Sequence, residues 1–180
     1  MSDVYLGNPN LKKANTEIEF TEEQIIEFLK CKEDPVYFAN NYIKIVSLDE
    51  GLTQFHPYDF QEKLIHNFHE NRFNICKMPR QTGKSTTVVS YLLHYAVFND
   101  SVNIGILANK AATARELLGR LQTAYENLPK WMQQGIVSWN KRSLELENGS
   151  KISANSTSSS AVRGGSYNVC LLYTSPSPRD

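Results

Sequence analysis

The clearest chemistry in the chain lies in Lys77-Met78-Pro79-Arg80-Gln81-Thr82-Gly83-Lys84-Ser85-Thr86. Residues 73–76 ahead of it are short and apolar and predict a strand. Residues 87–98, rich in Val, Leu, Tyr and Ala, predict a helix. Strand, loop, Gly-Lys-Ser and helix in that order are the context of a phosphate-binding loop. Backbone N–H groups of Gln81, Thr82, Gly83, Lys84, Ser85 and Thr86 would converge on one anion, and the helix dipole favours negative charge there. Lys84 would place a cation on the terminal phosphates, and Ser85 a hydroxyl on Mg²⁺. The pattern G-x-x-x-x-G-K-[ST] is incomplete, because position 78 is Met. A plain helix start with a solvated Lys84 is the competing account.

Upstream, residues 55–64 lead into a helix expected to run to about Asn71. Aromatics followed by Gln61, some way before a phosphate loop, resemble the adenine-reading Gln motif of helicase-like ATPases. A carboxamide both donates and accepts, so Gln61 suits an adenine edge. The bland account makes Tyr58 and Phe60 core and Gln61 surface. His56 has no identifiable carboxylate or cysteine partner and reads as structural.

The rest of the chain supplies the frame. Residues 1–20 are polar and mixed and predict a loose arm. Thr21 and Gln24 form a capping-box pattern opening a short amphipathic helix with Ile25, Ile26, Phe28 and Leu29. Asp34-Pro35 starts another, with Phe38, Tyr42 and Ile45 on one side. Residues 102–108 predict a buried parallel strand, and 111–127 a long helix with Leu117, Leu118, Leu121 and Tyr125 inward. Residues 143–154 predict a hairpin turning at Asn148-Gly149. Glu145 and Glu147 fall on one face of it, where alternation with solvent accounts for them. Arg163 beside Gly164-Gly165 is either a transition-state arginine or an ordinary turn residue. The strand–helix alternation predicts an α/β sheet with right-handed crossovers.

At 180 residues, 41% hydrophobic and 21% charged, the chain suits one core-forming domain, or a domain with an arm. Its formal net charge of zero gives no global nucleic-acid signature, although DNA contacts can lie on one face. Cys31, Cys76 and Cys170 have neither metal-ligand spacing nor a disulfide framework, which suits a reducing compartment. No apolar run approaches the ~20 residues of a membrane span, and nothing resembles a signal peptide.

In order along the chain, several features resemble the N-terminal ATPase half of the large terminase subunit of tailed bacteriophages, nearest the T-even type. They are Tyr58-x-x-Gln61, Arg80-Gln81-Thr82-Gly83-Lys84-Ser85-Thr86, Ile104-Gly105-Ile106-Leu107-Ala108 and Leu128-Pro129. After them come Gly135-Ile136-Val137-x-Trp139-Asn140, Leu146-Glu147-Asn148-Gly149-Ser150 and Ala161-Val162-Arg163-Gly164. The resemblance covers about residues 35–169. It implies a P-loop NTPase of the additional-strand, RecA/helicase-like kind, with a parallel sheet, an N-terminal helical subdomain and a truncated C-terminal side. It also implies ATP and Mg²⁺ as cofactors. Lys84, Arg80 and Arg163 would be the catalytic set, with Arg80 sensing phosphate and Arg163 acting in its own subunit or a neighbour. The implied role is ATP-driven movement of double-stranded viral DNA into a prohead in the host cytoplasm. Portal protein, small terminase subunit and further copies in a ring would be partners, and no membrane. A missing C-terminal nuclease would cut the DNA.

The family strand following residues 164–169 ends in Asp-Glu, where the Asp helps hold Mg²⁺ and the Glu activates water. Here Cys170-Leu171-Leu172-Tyr173-Thr174-Ser175-Pro176-Ser177-Pro178-Arg179-Asp180 follows instead. That tail resembles a translated sequencing-library adapter. The expected organisation is therefore an arm and helical subdomain over 1–54, a partial ATPase domain over 55–169 and a non-native tail over 170–180. Such a chain would bind ATP and hydrolyse it poorly. Alternatives are a helicase-like, nucleic-acid-dependent ATPase fragment and a non-catalytic nucleotide- or DNA-binding module.

Overall fold

The computed structural model describes residues 3–47, 51–158 and 165–174. Two helices lead. Helix α1 (Glu22–Glu33) opens on the expected capping box, the Thr21 hydroxyl accepting from Gln24 N–H while the Gln24 side chain accepts from Thr21 N–H. Helix α2 (Pro35–Tyr42) starts at Asp34, whose carboxylate accepts from the N–H groups of Val36 and Tyr37. The apolar residues expected to bury α1 lie largely outside, with Ile25, Ile26 and Leu29 about half exposed. Its inward contacts come from Cys31 and from Phe28, edge-on to Phe98 at 4.9 Å. A small antiparallel pair follows, β1 (Lys44–Ser47) and β2 (Gly51–Gln54), which the sequence pattern did not announce.

Helices α3 (Asp59–Glu70) and α4 (Lys84–Phe98) flank the loop. Strand β3 (Asn103–Ala108), helix α5 (Ala111–Glu126) and strands β4 (Ile136–Trp139), β5 (Ser143–Leu146), β6 (Lys151–Ser156) and β7 (Val169–Tyr173) complete the fold. The five-stranded sheet runs β4-β5-β6-β3-β7. One side is parallel, with β3 between β6 and the edge strand β7, and the other is antiparallel through β4, β5 and the β5–β6 hairpin. The sheet is thus mixed, not wholly parallel. Asn148 and Gly149 make the expected turn; Gly149 has φ +80°, where a side chain is strained. Asn148 ties that turn to α4 by donating to the carbonyls of Ala96 and Asn99.

Helix α4 is buried nearly all round because it lies between α5, α3 and α2. Ile104, Ile106 and Ala108 of β3 and Leu118 and Leu121 of α5 are wholly buried in the same core. Removing such surface from water supplies most of the stabilisation.

Two expectations change. Residues 73–76 form no strand: Phe73 is 84% and Ile75 99% exposed, outside the sheet. An apolar run has only a tendency to extend, and a ladder partner decides whether it becomes a strand. Among the described residues none pairs with it. The N-terminal arm, in turn, is docked and not loose. Leu11 is buried, Lys12 N–H donates to Gln133 Oε1 (2.9 Å), and Ala14 N–H donates to the Ile136 carbonyl. Buried Gln133 returns Nε2 to the carbonyls of Asn10 and Leu128, so one side chain binds the arm to the end of α5.

Candidate functional site

The loop owes its shape to a few residues. Gly83 caps α4 in the left-handed region, φ 71° and ψ 10°. A Cβ there would also run into Gln61 Nε2, which its hydrogen bond to the Thr82 carbonyl holds in place. Gln81, at φ 61°, holds a second left-handed turn without being glycine. Thr82 Oγ1 donates to the Pro79 carbonyl, and Thr87 Oγ1 to the Gly83 carbonyl. The first turn of α4 therefore faces outward from a hydrogen-bonded bend.

Gln61 lies beneath this bend, 3% exposed. Its Oε1 accepts from Tyr58 N–H (2.9 Å), closing the N-terminus of α3, and its Nε2 donates to the Thr82 carbonyl (3.1 Å). The bland expectation of a surface Gln61 with core aromatics is inverted. Tyr58 and Phe60 are exposed by 70% and 46% and stack on each other at 5.8 Å. Both ends of the Gln61 amide are spent inside the protein, joining α3 to the loop.

Arg80, Gln81, Gly83, Lys84, Ser85 and Thr86 line one cleft of about 530 Å³, which Arg120 and Tyr173 complete. Lys84 Nζ curls back to the carbonyls of Met78 and Pro79, 3.4 Å each. Arg120, on α5, pairs with Glu116 at 2.7 Å. Tyr173 closes β7, opposite Ala108 of β3, and its hydroxyl lies 2.9 Å from Ser85 Oγ. The cleft thus opens beyond the carboxyl ends of parallel strands, the usual ligand position in an open α/β sheet. Sequence reasoning missed Arg120 and Tyr173. Arg120 carried no signal, and Tyr173 falls within the tail expected over 170–180, whereas it is the last residue of β7, paired with Ala108 of β3. Arg163 and Gly164 lie outside the described residues.

The cleft is rich in donors and cationic. Lys84 and two arginines line it, and none of the lining residues is a carboxylate. That chemistry matches a multiply charged anion. It does not match Mg²⁺, which takes oxygen ligands including carboxylates from its protein host. Ser85 and Tyr173 offer two neutral hydroxyls hydrogen-bonded to each other. Among the described residues no cluster of three His, Cys, Asp or Glu side chains suits a metal ion.

Glu145 and Glu147 also separate. Glu147 is structural: burial alone would raise its pKa, but the N–H groups of Gly135 and Asn15 and the Lys12 ammonium (3.2 Å) hold it below the ordinary carboxylate value. His94 on α4 goes the other way, its pKa pushed down to about 4, chiefly by burial. Its Nε2 lies 2.8 Å from the Cys31 carbonyl, to which the neutral ring donates.

A glycine-capped loop and helix at the carboxyl ends of parallel strands define an α/β protein with a cation-lined cleft at that end of its sheet. The family model described as terminase large subunit, T4likevirus-type, N-terminal, matches residues 75–172, more than half of the chain, and the chain belongs to that family. The match reaches past residue 169, to Leu172 of β7. Among solved structures, the HK97 bacteriophage large terminase is similar over 78% of this chain, with TM-score 0.62 and 19% identity. At that identity the likeness concerns the fold. The chain spans 30% of the length of that terminase. No helix among the described residues is long and apolar enough to cross a membrane.

Proposed function

We propose that the chain is the nucleotide-binding part of a viral DNA-packaging motor, taking the polyphosphate of ATP in the cleft above Lys84. One observation carries this: the left-handed Gly83 turns the loop so that Lys84, Ser85 and Thr86 open α4 inside a cleft also lined by Arg80 and Arg120. Backbone N–H groups at a helix start, with Lys and Arg beside them, are suited to phosphate oxygens. Gln61 then serves adenine indirectly by fixing the loop, while the exposed Tyr58–Phe60 pair offers a stacking face. In the whole protein, ATP turnover would drive double-stranded DNA through a portal, with small terminase subunits and further copies as partners in the host cytoplasm. A downstream nuclease would cut the DNA. Arg163 remains the proposed coupling arginine.

As it stands the chain has no acid to activate water at the end of β7, where Tyr173-Thr174 follows Leu172. It therefore binds ATP and hydrolyses it negligibly. Calorimetric titration with ATP tests the binding, and Lys84→Ala is expected to weaken it by at least about tenfold, the worth of one charge-assisted contact. Equal affinity in the variant would refute the site. ATP turnover by the 180-residue chain that Lys84→Ala abolishes would refute the claim of inactivity.

A further inference from the structure

Resting on that nucleotide-binding reading, we infer that this chain binds its polyphosphate as the metal-free anion, with Arg80, Lys84 and Arg120 supplying the countercharge and Tyr173 occupying the position a metal-holding carboxylate would need. Three observations converge. The cleft places three cationic side chains and no carboxylate around the loop. Ser85, the hydroxyl suited to a cation, is hydrogen-bonded at 2.9 Å to the phenol of Tyr173. Glu116, which pairs with Arg120 at 2.7 Å, does not itself line the cleft.

The physical argument concerns competition for the same phosphate oxygens. Mg²⁺ dehydrates reluctantly and is kept in protein sites by one or two carboxylates together with substrate phosphates. A neutral phenol at the end of β7 contributes no charge and little to cation binding. Mg²⁺ bound to free ATP cancels the charge on which Arg80, Lys84 and Arg120 act. The metal then weakens the ligand's attraction to the cleft and gains no protein ligand in return. Because Arg80 is exposed, the attraction is also screened by salt.

The test titrates the 180-residue chain with ATP, once in EDTA and once in millimolar MgCl₂. Affinity in EDTA is expected to equal or exceed that in Mg²⁺. Tyr173→Asp places a carboxylate beside Ser85 and is expected to reverse the order, with Mg²⁺ tightening ATP by about tenfold. Tyr173→Phe keeps the ring, guards against a misfolded Asp variant, and is expected to remain indifferent to Mg²⁺. Wild-type binding that weakens tenfold or more in EDTA overturns the inference. So does a folded Tyr173→Asp that ignores Mg²⁺, or a Tyr173→Phe that becomes Mg²⁺-dependent. Absence of binding under both conditions overturns the nucleotide reading itself, and the inference with it.

Discussion

Gln61 couples two pieces of the site that its own backbone does not join. Its amide receives Tyr58 N–H and gives a hydrogen bond to the Thr82 carbonyl, all while buried. Truncation to Ala removes both hydrogen bonds, leaving Tyr58 N–H and the Thr82 carbonyl on an exposed and a half-buried residue that water reaches. Gln61→Ala is therefore expected to lower stability by about 1 kcal/mol in urea unfolding. It should weaken ATP and inorganic tripolyphosphate equally. Selective loss of ATP binding would instead mean that Gln61 reads adenine directly. Gly83→Ala should do more damage than its size suggests, since the methyl would strike Gln61 Nε2 and the φ of +71° is strained for any side chain.

At the scale of elements, α4 and the hairpin turn that holds the docked arm each carry a titrating group, His94 and Glu147, whose sign is fixed by its surroundings. His94 holds its proton less well folded, at about 4, than unfolded, near 6.5. Its contribution is fully present above the unfolded value and is lost as pH falls from about 6.5 toward 4, because the unfolded chain then takes up the proton. Thermal unfolding should show stability falling by up to about 1.4 kcal/mol per pH unit in that window. His94→Gln, which retains a donor for the Cys31 carbonyl, should flatten the slope. Glu147 behaves as a depressed carboxylate. Its contribution is present above the unfolded carboxylate pKa and lost as pH falls through the lower folded value. Glu147→Gln is expected to cost about 2 kcal/mol at neutral pH, where Asn15 N–H and Lys12 lose their anionic partner. The difference from wild type should vanish in acid, and a cost that persists there would show that charge is not its source.

At the scale of the whole molecule, the described residues present an open sheet edge beside exposed apolar side chains. Strand β7 ends the sheet next to β3, Leu172 is 64% exposed, and the apolar run with Phe73 and Ile75 lies in solvent. Open sheet edges beside exposed apolar residues invite pairing with other chains. Sedimentation is expected to show association that rises with concentration and is reduced by Ile75→Lys. A wild type that stays monomeric at high concentration would count against an adhesive edge.

What the sequence determined by itself is local. The Thr21–Gln24 and Asp34-Pro35 helix starts, the Asn148-Gly149 turn, buried β3 and the Gly83-Lys84 entry into α4 follow from caps, turn residues and apolar periodicity within a few positions. Only the tertiary structure decided that Tyr173 meets Ser85 across the sheet, that Arg120 joins Lys84, and that Gln133 binds the arm. The fate of residues 73–76 belongs with these. Each depends on which strand lies beside which and on distant chain segments meeting, and neither composition nor spacing encodes a partner that must arrive from elsewhere in the chain.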